Sequence, residues 1–331
     1  MSVQGRLGAP GNRMSSRQSW TRLLAEYALP LALILLVIFF AFESDAFLSV
    51  ANGQNILRQS SVIAIAAMGM ALLLINGAID ISQGAVMATT TLLVVELTNA
   101  GIPQMTAILA GLGLGLSLGF VNGFFAEVVG IPSLIATLGT ALLIRGLGFV
   151  VTGGRSTALD REQGEVILWM GRGSIGGIPA AFLITVAVAL IAIVALKNTV
   201  WGRHSFAIGG SQDAARSAGV RIRTHRFLVF GISGAISSLA GIVLAGQLGS
   251  AAPSHVPNAE FDVITAAVLG GVSIFGGRGR MWMVVLAAVF VAVLANGLVQ
   301  LNISAFWSPV ATGAVFLAAL ALDRFRDRNN A

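Results

Sequence analysis

The sequence predicts an all-α protein that crosses a membrane many times. Of its 331 residues, 56% are hydrophobic and only 10% are charged, whereas soluble globular domains carry about 25% charged residues. Glycine contributes 40 residues, and it is frequent in membrane helices because it lets helix backbones approach closely. The net charge of +6 is spread between apolar runs and forms no wet basic face of the kind that binds DNA. This composition excludes a water-soluble enzyme, a disordered protein and a nucleic-acid binder.

Ten apolar segments are candidates for membrane spans, each of which needs about 20 mostly apolar residues. The connections between the second and fifth segments are very short. The eighth segment is short and glycine-rich, so a broken helix is an alternative to a continuous one there. The predicted spans are 24–43, 56–77, 80–98, 104–128, 132–152, 179–197, 226–247, 260–276, 281–301 and 305–322.

The distribution of positive residues predicts how these ten spans are oriented. Fifteen of the 20 Lys and Arg residues fall on one side of the membrane if the N-terminus lies inside. Because positive residues favour the cytoplasmic side, both termini are predicted to be cytoplasmic. The expected organisation is a cytoplasmic tail over 1–23, a single transmembrane domain over 24–322 and a second cytoplasmic tail over 323–331.

Two connecting loops are long enough for roles of their own. The loop 153–178 is predicted to be external and carries charges of both signs, whereas the loop 198–225 is internal and strongly basic. The other connections are too short to hold a soluble module. The chain contains no cysteine, so disulfides and thiolate metal sites are excluded.

A weak internal repeat suggests two halves of opposite orientation. Asn122 and Asn296 each precede a glycine, and each is followed 17 residues later by another, Gly139 and Gly313. The two copies lie five spans apart, which would point them in opposite directions. Inverted halves are common in transporters, where the pathway lies at their interface. Chance is the competing explanation in so glycine-rich a chain.

The internal loop contains a predicted short amphipathic helix over 212–218. Ser211 or Asp213 is available as its N-cap, and small alanines leave a face that another protein could approach. Arg216, Arg221 and Arg223 surround it with positive charge. From the residues alone, a docking helix and a basic loop that contacts anionic lipid both fit.

Four blocks of sequence carry a resemblance to a known family. The blocks are WGRHSFAIGGSQDAARSAGV (201–220), NGAIDISQGAVMA (76–88), NGFFAEVVGIPSLIATLGTALLIRGLGFVVTGG (122–154) and AAVLGGVSIFGGRGR (266–280). They resemble blocks of the ribose-, xylose- and arabinose-type permeases of ATP-binding-cassette (ABC) importers, and they follow one another along the chain in the same order as in that family. The resemblance extends from about residue 50 to the end of the chain. It is specific because each block has several fixed residues at fixed spacing.

The resemblance implies a transmembrane subunit that imports a sugar, either a pentose, a hexose or a related polyol, by alternating access across the bacterial inner membrane. Implied partners are cytoplasmic ABC ATPase subunits, a periplasmic sugar-binding protein, membrane lipid and a second permease copy, identical or a close paralogue. No cofactor is expected on this chain, because ATP and magnesium would bind the ATPase partner and the chain has no G-x-x-x-x-G-K-[ST] loop. No catalytic or metal-binding residues are expected, since the three histidines are dispersed.

Two groups of residues follow from these blocks as candidate sites. The first group belongs to the segment implied to couple the permease to the ATPase: Arg203, Gly209, Gly210, Asp213, Ala214, Ala215, Arg216 and Gly219. The second group contains candidates for the translocation path or its gate: Asp80, Asn122, Arg145, Phe275, Asn296 and Gln300.

Arg145 stands out in the second group because it lies inside a predicted span. An unpaired charge there costs about 2.5–3.5 kcal/mol on insertion scales, so a partner is expected, with Glu96 and Asp80 as the candidates. Its role is left open between a structural tether, a gate element and a sugar contact. Asp80 is an alternative helix cap, assisted by Ser82, and asparagines in spans such as Asn122 either lock helices together or bind sugar hydroxyls.

Other kinds of transporter remain as alternatives. An ion-coupled secondary transporter would need a buried acidic relay, and only Asp80, Glu96 and Glu127 lie near spans. Permeases of the same superfamily carry amino acids, nucleosides or furanone signals. The Asp80 block and the SIFGG segment (273–277) favour the carbohydrate branch over the amino-acid branch.

Overall fold

Helices form almost the whole molecule. The computed structural model describes residues 16–304 and 306–328. The predicted N-terminal tail lies outside the described residues up to residue 15, as do the last three residues of the predicted C-terminal tail. The helices are α1 (Ser16–Glu43), α2 (Val50–Ile75), α3 (Gln83–Asn99), α4 (Gln104–Gly123), α5 (Ser133–Thr152), α6 (Glu165–Arg172), α7 (Ala180–Asn198), α8 (Val200–Gly210), α9 (Gln212–Ser217), α10 (Ile222–Leu248), α11 (Ala259–Leu269), α12 (Met281–Gln300) and α13 (Trp307–Arg328).

Helix α2 lies at the centre of the bundle. Every residue over 64–75 is buried, and helices α7, α10, α11 and α12 pack around it. A helix that is apolar on all sides belongs in the interior of a protein or a membrane. Apolarity alone does not set α2 apart, because the more apolar α7 is less buried; seven of the 12 residues over 60–71 are Ala, Gly or Ser, and small residues let neighbouring helices approach closely.

Small residues set the close packing of α4 against α10. Gly115 and Gly119 on α4 face Gly234 and Gly231 on α10, and a Cβ atom at Gly115 would meet the carbonyl oxygen of Gly234. Such backbone contact gives membrane helices van der Waals packing that larger residues prevent. The high glycine content thus has a direct structural use.

Six helices are long and apolar enough to cross a membrane, judged over the described residues. They are α2, α5, α7, α10, α12 and α4 with its continuation to Val129. Helices α4, α5 and α7 bury only about a third of their apolar windows. Their outward apolar faces suit contact with lipid or with another subunit.

The remaining predicted spans correspond to shorter helices. Helix α3 has 17 residues, and α1 and α13 contain the apolar stretches Tyr27–Glu43 and Trp307–Ala321. In place of a continuous eighth span over 260–276, α11 ends at Leu269 and residues 270–280 are not helical. Gly271, Gly276 and Gly277 have positive φ there, which only glycine adopts readily.

Helix α4 does not end in a regular α-helical turn. The six residues that follow it, Phe124–Val129, form a π-helix that stops at Gly130 with φ of 87°. Such π-helical turns are rare and frequently occur at functional sites. Glu127, a buried acid, lies in this turn.

The predicted external loop is anchored to the helices. Strand β1 (Thr157–Ala158) pairs antiparallel with β4 (Ser250–Ala251), and β2 (Ser174–Ile175) pairs with β3 (Ile178–Pro179). Helix α6 packs on the end of α10, where Gly171 and Gly246 are in close backbone contact.

Candidate functional site

The turn over 76–82, which joins α2 to α3, is built around Asp80. This side chain is buried, and its Oδ1 accepts hydrogen bonds from the backbone N–H of Ser82 at 2.8 Å and from the Ser82 hydroxyl at 2.6 Å. Ser82 is the residue that immediately precedes α3. Asp80 therefore fixes the start of α3 by holding its N-cap residue.

Asn122 joins this turn to two further helices. Its Nδ2 donates to the Ser82 hydroxyl at 2.7 Å and to Asp80 Oδ2 at 3.2 Å. The Thr140 hydroxyl of α5 donates to Asn122 Oδ1 at 2.5 Å. A buried carboxylate is costly unless it has such partners. The structure thus brings Asp80 and Asn122 together in one network that holds α3, α4 and α5.

Arg145 on α5 lies beside Glu260 on α11, with 3.7 Å between Arg145 Nη2 and Glu260 Oε2. The two acids that the sequence suggested as partners make other contacts. Glu96 accepts a hydrogen bond from Thr157 in the outer loop, and Asp80 belongs to the turn described above. The ionic partner of Arg145 is therefore one that sequence reasoning missed.

The Arg145–Glu260 pair retains unused hydrogen-bonding capacity. Glu260 Oε2 and Arg145 Nε are buried without hydrogen-bond partners, and the Arg145 side chain is still 29% exposed. Gly84 makes room for the pair, because a Cβ atom there would collide with Glu260 Oε2. A donor from α5 and an acceptor from α11 therefore converge on one partly accessible region beside α3.

The other path candidates lie elsewhere. Gln300 Nε2 donates to Asn52 Oδ1 at 3.0 Å and so links α12 to α2. Asn296 is buried, and its Oδ1 has no hydrogen-bond partner. Phe275 is exposed in the non-helical segment 270–280.

The candidate coupling segment forms two helices, α8 and α9. Of the two predicted caps, Ser211 is used, since its hydroxyl accepts from the backbone N–H of Ala214 at 3.3 Å. Ala215 is buried against Ile208 and Ile222. Gly219 ends the helix with φ of 82°, where its N–H donates to the carbonyl of Arg216.

The outer surface of this segment is exposed. Asp213 and Arg216 lie 3.9 Å apart with side chains 98% and 71% exposed, and such exposed ion pairs contribute little to stability. The surface is therefore free to meet another molecule. The other exposed candidate residues of the segment are Arg203, Gly210, Ala214 and Gly219.

Gly209 lies at a junction of three backbone segments. A Cβ atom at Gly209 would meet the carbonyl oxygen of Ile75, at the end of α2, and the backbone N of Gly277. Gly277 N–H also donates to the Ile75 carbonyl at 2.9 Å. Gly210, by contrast, has open space where a Cβ atom would be. Helix α8 thus touches both the end of α2 and the segment 270–280, and of its two last glycines only Gly209 has no room for a Cβ atom.

A second buried ion pair lies near this junction. Glu127 in the π-helical turn is 3.0 Å from Arg226 Nε on α10, and Arg226 donates to the carbonyl of Gly77 at 3.4 Å. Sequence reasoning noted Glu127 only as an acid near a span and did not pair it. An acid within an apolar run is the signal that could have prompted a search for its partner.

Known proteins match this chain along almost its whole length. A family model described as branched-chain amino acid transport system / permease component matches residues 52–320. The chain is 36% identical to the ribose import permease protein RbsC of Bacillus subtilis (89% of this chain, 91% of that protein). It is 33% identical to the L-arabinose transport system permease protein AraH of Escherichia coli (97% and 96%). It is also 34% identical to the probable ABC transporter permease protein YphD of Escherichia coli (94% and 92%).

Proposed function

The chain belongs to the family of branched-chain amino acid transport system permease components, and we propose that it is the membrane subunit of an ABC importer for a sugar. The observation that carries this proposal is its 33–36% identity to ribose and arabinose permeases over 89–97% of its length. It is a multi-pass protein of the bacterial inner membrane. ATP hydrolysis lies with a partner subunit.

The Asp80 turn supports sugar import over amino-acid import, although the family is described by amino-acid transport. The I-D-I-S residues 79–82 resemble the carbohydrate branch. They form a buried network in which both Asp80 carboxylate oxygens have hydrogen-bond donors. This network stabilises the start of α3. The pentose specificity of the relatives makes pentoses the first sugars to test.

The arrangement of helices supports ten spans in two inverted halves. Helices α3, α4 and α5 pack on one another as α11, α12 and α13 do, and α2 packs on α11 and α12 as α10 packs on α3 and α4. Asn122 and Asn296 occupy equivalent places near the ends of α4 and α12. With the N-terminus inside, α2 runs inward and α10 runs outward. The six long apolar helices would then be joined by α1, α3, α11 and α13 as shorter spans.

Coupling to the ATPase is assigned to α8 and α9, with the exposed residues Arg203, Asp213, Ala214 and Arg216 as the contact surface. Buried Ala215 and the turn at Gly219, where glycine adopts positive φ without strain, hold α9 in place. Movement of this segment would reach the membrane through Gly209, because its neighbours at the junction are backbone atoms. The end of α2 and the segment 270–280 would move with it.

The Arg145–Glu260 pair is the proposed gate element of the translocation path. It joins α5 of the first half to α11 of the second half, and at 3.7 Å it is longer than a hydrogen bond. A pair without a hydrogen bond opens at lower cost than a hydrogen-bonded one. Passing hydroxyl groups could then bind the unpaired Oε2 of Glu260. Asn296, Gln300 and Phe275 are further path candidates.

The proposed assembly contains a second permease copy, a pair of ATPase subunits that bind ATP and magnesium, and a periplasmic sugar-binding protein. The outward apolar faces of α4, α5 and α7 leave room for the second copy and for membrane lipid. The anchored outer loop, with α6 lying across the end of α10, offers a fixed surface to the binding protein.

Reconstitution tests this proposal. The chain is placed in lipid vesicles with its co-encoded ATPase, and ATP hydrolysis is measured with the co-encoded binding protein and a panel of pentoses, hexoses and polyols. We expect one loaded binding protein to stimulate hydrolysis and sugar uptake together. Uptake that needs no ATPase and collapses with an uncoupler at constant ATP would instead identify an ion-coupled transporter.

A further inference from the structure

A basic cleft lies beside the coupling segment, on the side of the protein predicted to face the cytoplasm. It has a volume of about 500 Å³ and is lined by Arg216 of α9, Arg221, Arg223 and Arg226 at the start of α10, and Glu127 of the π-helical turn. We propose that this cleft binds the phosphate headgroup of an anionic phospholipid. The inference does not depend on which substrate is carried.

The charges inside the cleft favour an anion. Glu127 is already engaged by Arg226 at 3.0 Å, so these two charges balance each other. Within the part of the chain that the structure describes, Arg221 and Arg223 form no ion pair, and the Arg216–Asp213 contact of 3.9 Å is exposed and weak. The guanidinium groups of Arg221 and Arg223, which lie outside the proposed ATPase contact surface, are therefore available, and guanidinium groups suit phosphate because they donate paired hydrogen bonds.

The start of α10 adds to the attraction. Arg221 precedes the helix and makes no side-chain cap hydrogen bond, and the first turn contains no acidic residue. The first backbone N–H groups of α10 are thus left without a capping side chain, and the positive end of the helix dipole points toward an anion placed there. The dipole and the arginines act in the same place.

The surroundings of the cleft indicate a lipid as the source of the phosphate. Glu127 projects from the same π-helical turn whose Phe124, Val128 and Val129 are large, apolar and exposed. Such side chains face acyl chains at the inner edge of the bilayer. A ligand that places a phosphate in the cleft and hydrocarbon against this turn has the chemistry of a phospholipid such as phosphatidylglycerol.

Native mass spectrometry of the purified full chain tests the proposal. The protein is exchanged into detergent with equal amounts of phosphatidylglycerol and phosphatidylcholine, and the retained lipid is counted for wild type, Arg221→Gln and Arg223→Gln. The matched control is Lys197→Gln, which removes one positive charge from the exposed end of α7 outside the cleft. We expect wild type and the control to retain phosphatidylglycerol preferentially, and each cleft variant to weaken this retention about fivefold.

Three results would overturn the proposal. Equal loss in Lys197→Gln would show a general charge effect without a site. Release of the bound lipid by millimolar inorganic phosphate, without preference between the two lipids, would identify a site for free anions. Unchanged lipid retention in the cleft variants, combined with weaker binding of the ATPase subunit, would identify the cleft as a surface for acidic side chains of that partner.

Discussion

Gly209→Ala tests whether the coupling segment is joined to the membrane helices through a rigid backbone contact. The added Cβ atom would lie closer to the Ile75 carbonyl oxygen and the Gly277 backbone N than real Cβ atoms come to any neighbour. Neither neighbour is the end of a flexible side chain, so one of the three segments must move. Overpacking of this kind costs about 1–3 kcal/mol.

The matched control is Gly210→Ala, the next residue of the same helix. Its Cβ atom meets nothing within 4 Å, and alanine is favoured over glycine in a helix by about 0.5–1 kcal/mol. Two adjacent glycines that look equivalent in the sequence should therefore give opposite signs of stability change.

The assay measures thermal unfolding of both variants in detergent, together with sugar uptake by the reconstituted importer. We expect Gly209→Ala to lower the midpoint of unfolding by several degrees and to slow uptake, with membrane insertion unchanged. Gly210→Ala should unfold at or above the wild-type midpoint. Equal midpoints for the two variants would refute the junction as the rigid contact described above.

Three further predictions concern the other candidate sites. In a double-mutant cycle, Arg145→Gln and Glu260→Gln should each lower the free energy of unfolding, because each leaves a charge unpaired. The loss in the double variant should be about 0.5–3 kcal/mol smaller than the sum of the two single losses. Additive losses would show that the pair does not interact. Asn122→Ala should lower the free energy of unfolding by about 1–3 kcal/mol, because it removes the Nδ2 donor of the buried Asp80 Oδ2. An unchanged unfolding midpoint would contradict the network. Asp213→Arg and Gly219→Trp should each abolish ATP-driven uptake while leaving membrane insertion intact. The first changes an exposed surface, and the second changes a residue with φ of 82°. Uptake that survives both changes would contradict the coupling assignment.

Local features of this protein were accessible from its sequence. The short helix after Ser211 needs only a cap, two alanines and a terminal glycine, all within nine residues, and it forms over Gln212–Ser217. The break in the eighth span was visible as a cluster of glycines, since glycine readily adopts positive φ. Both features depend on residues that are neighbours in the chain.

Contacts between distant residues were not accessible in this way. Arg145 inside a span signalled that a partner must exist, but the partner Glu260 is 115 residues away and had no special pattern of its own. Choosing among Glu96, Asp80 and Glu260 requires the packing of α11 against α3, which one sequence does not contain. The same holds for Glu127 and Arg226, which meet only because α10 packs on the π-helical turn.

The junction at Gly209 explains how helix α8 can act on two parts of the bundle at once. If α8 touched α2 through long side chains, a small displacement would be absorbed by changes of rotamer. Here the contact is between backbone atoms, and the Ile75 carbonyl is also hydrogen-bonded to Gly277 N–H. Displacing α8 must therefore shift the turn 76–82 or the segment 270–280. The first leads through Asp80 and Asn122 to α3, α4 and α5, and the second leads directly into α11, which carries Glu260. A single movement at the predicted cytoplasmic surface would thus reach both sides of the Arg145–Glu260 pair, as the gate proposed above requires.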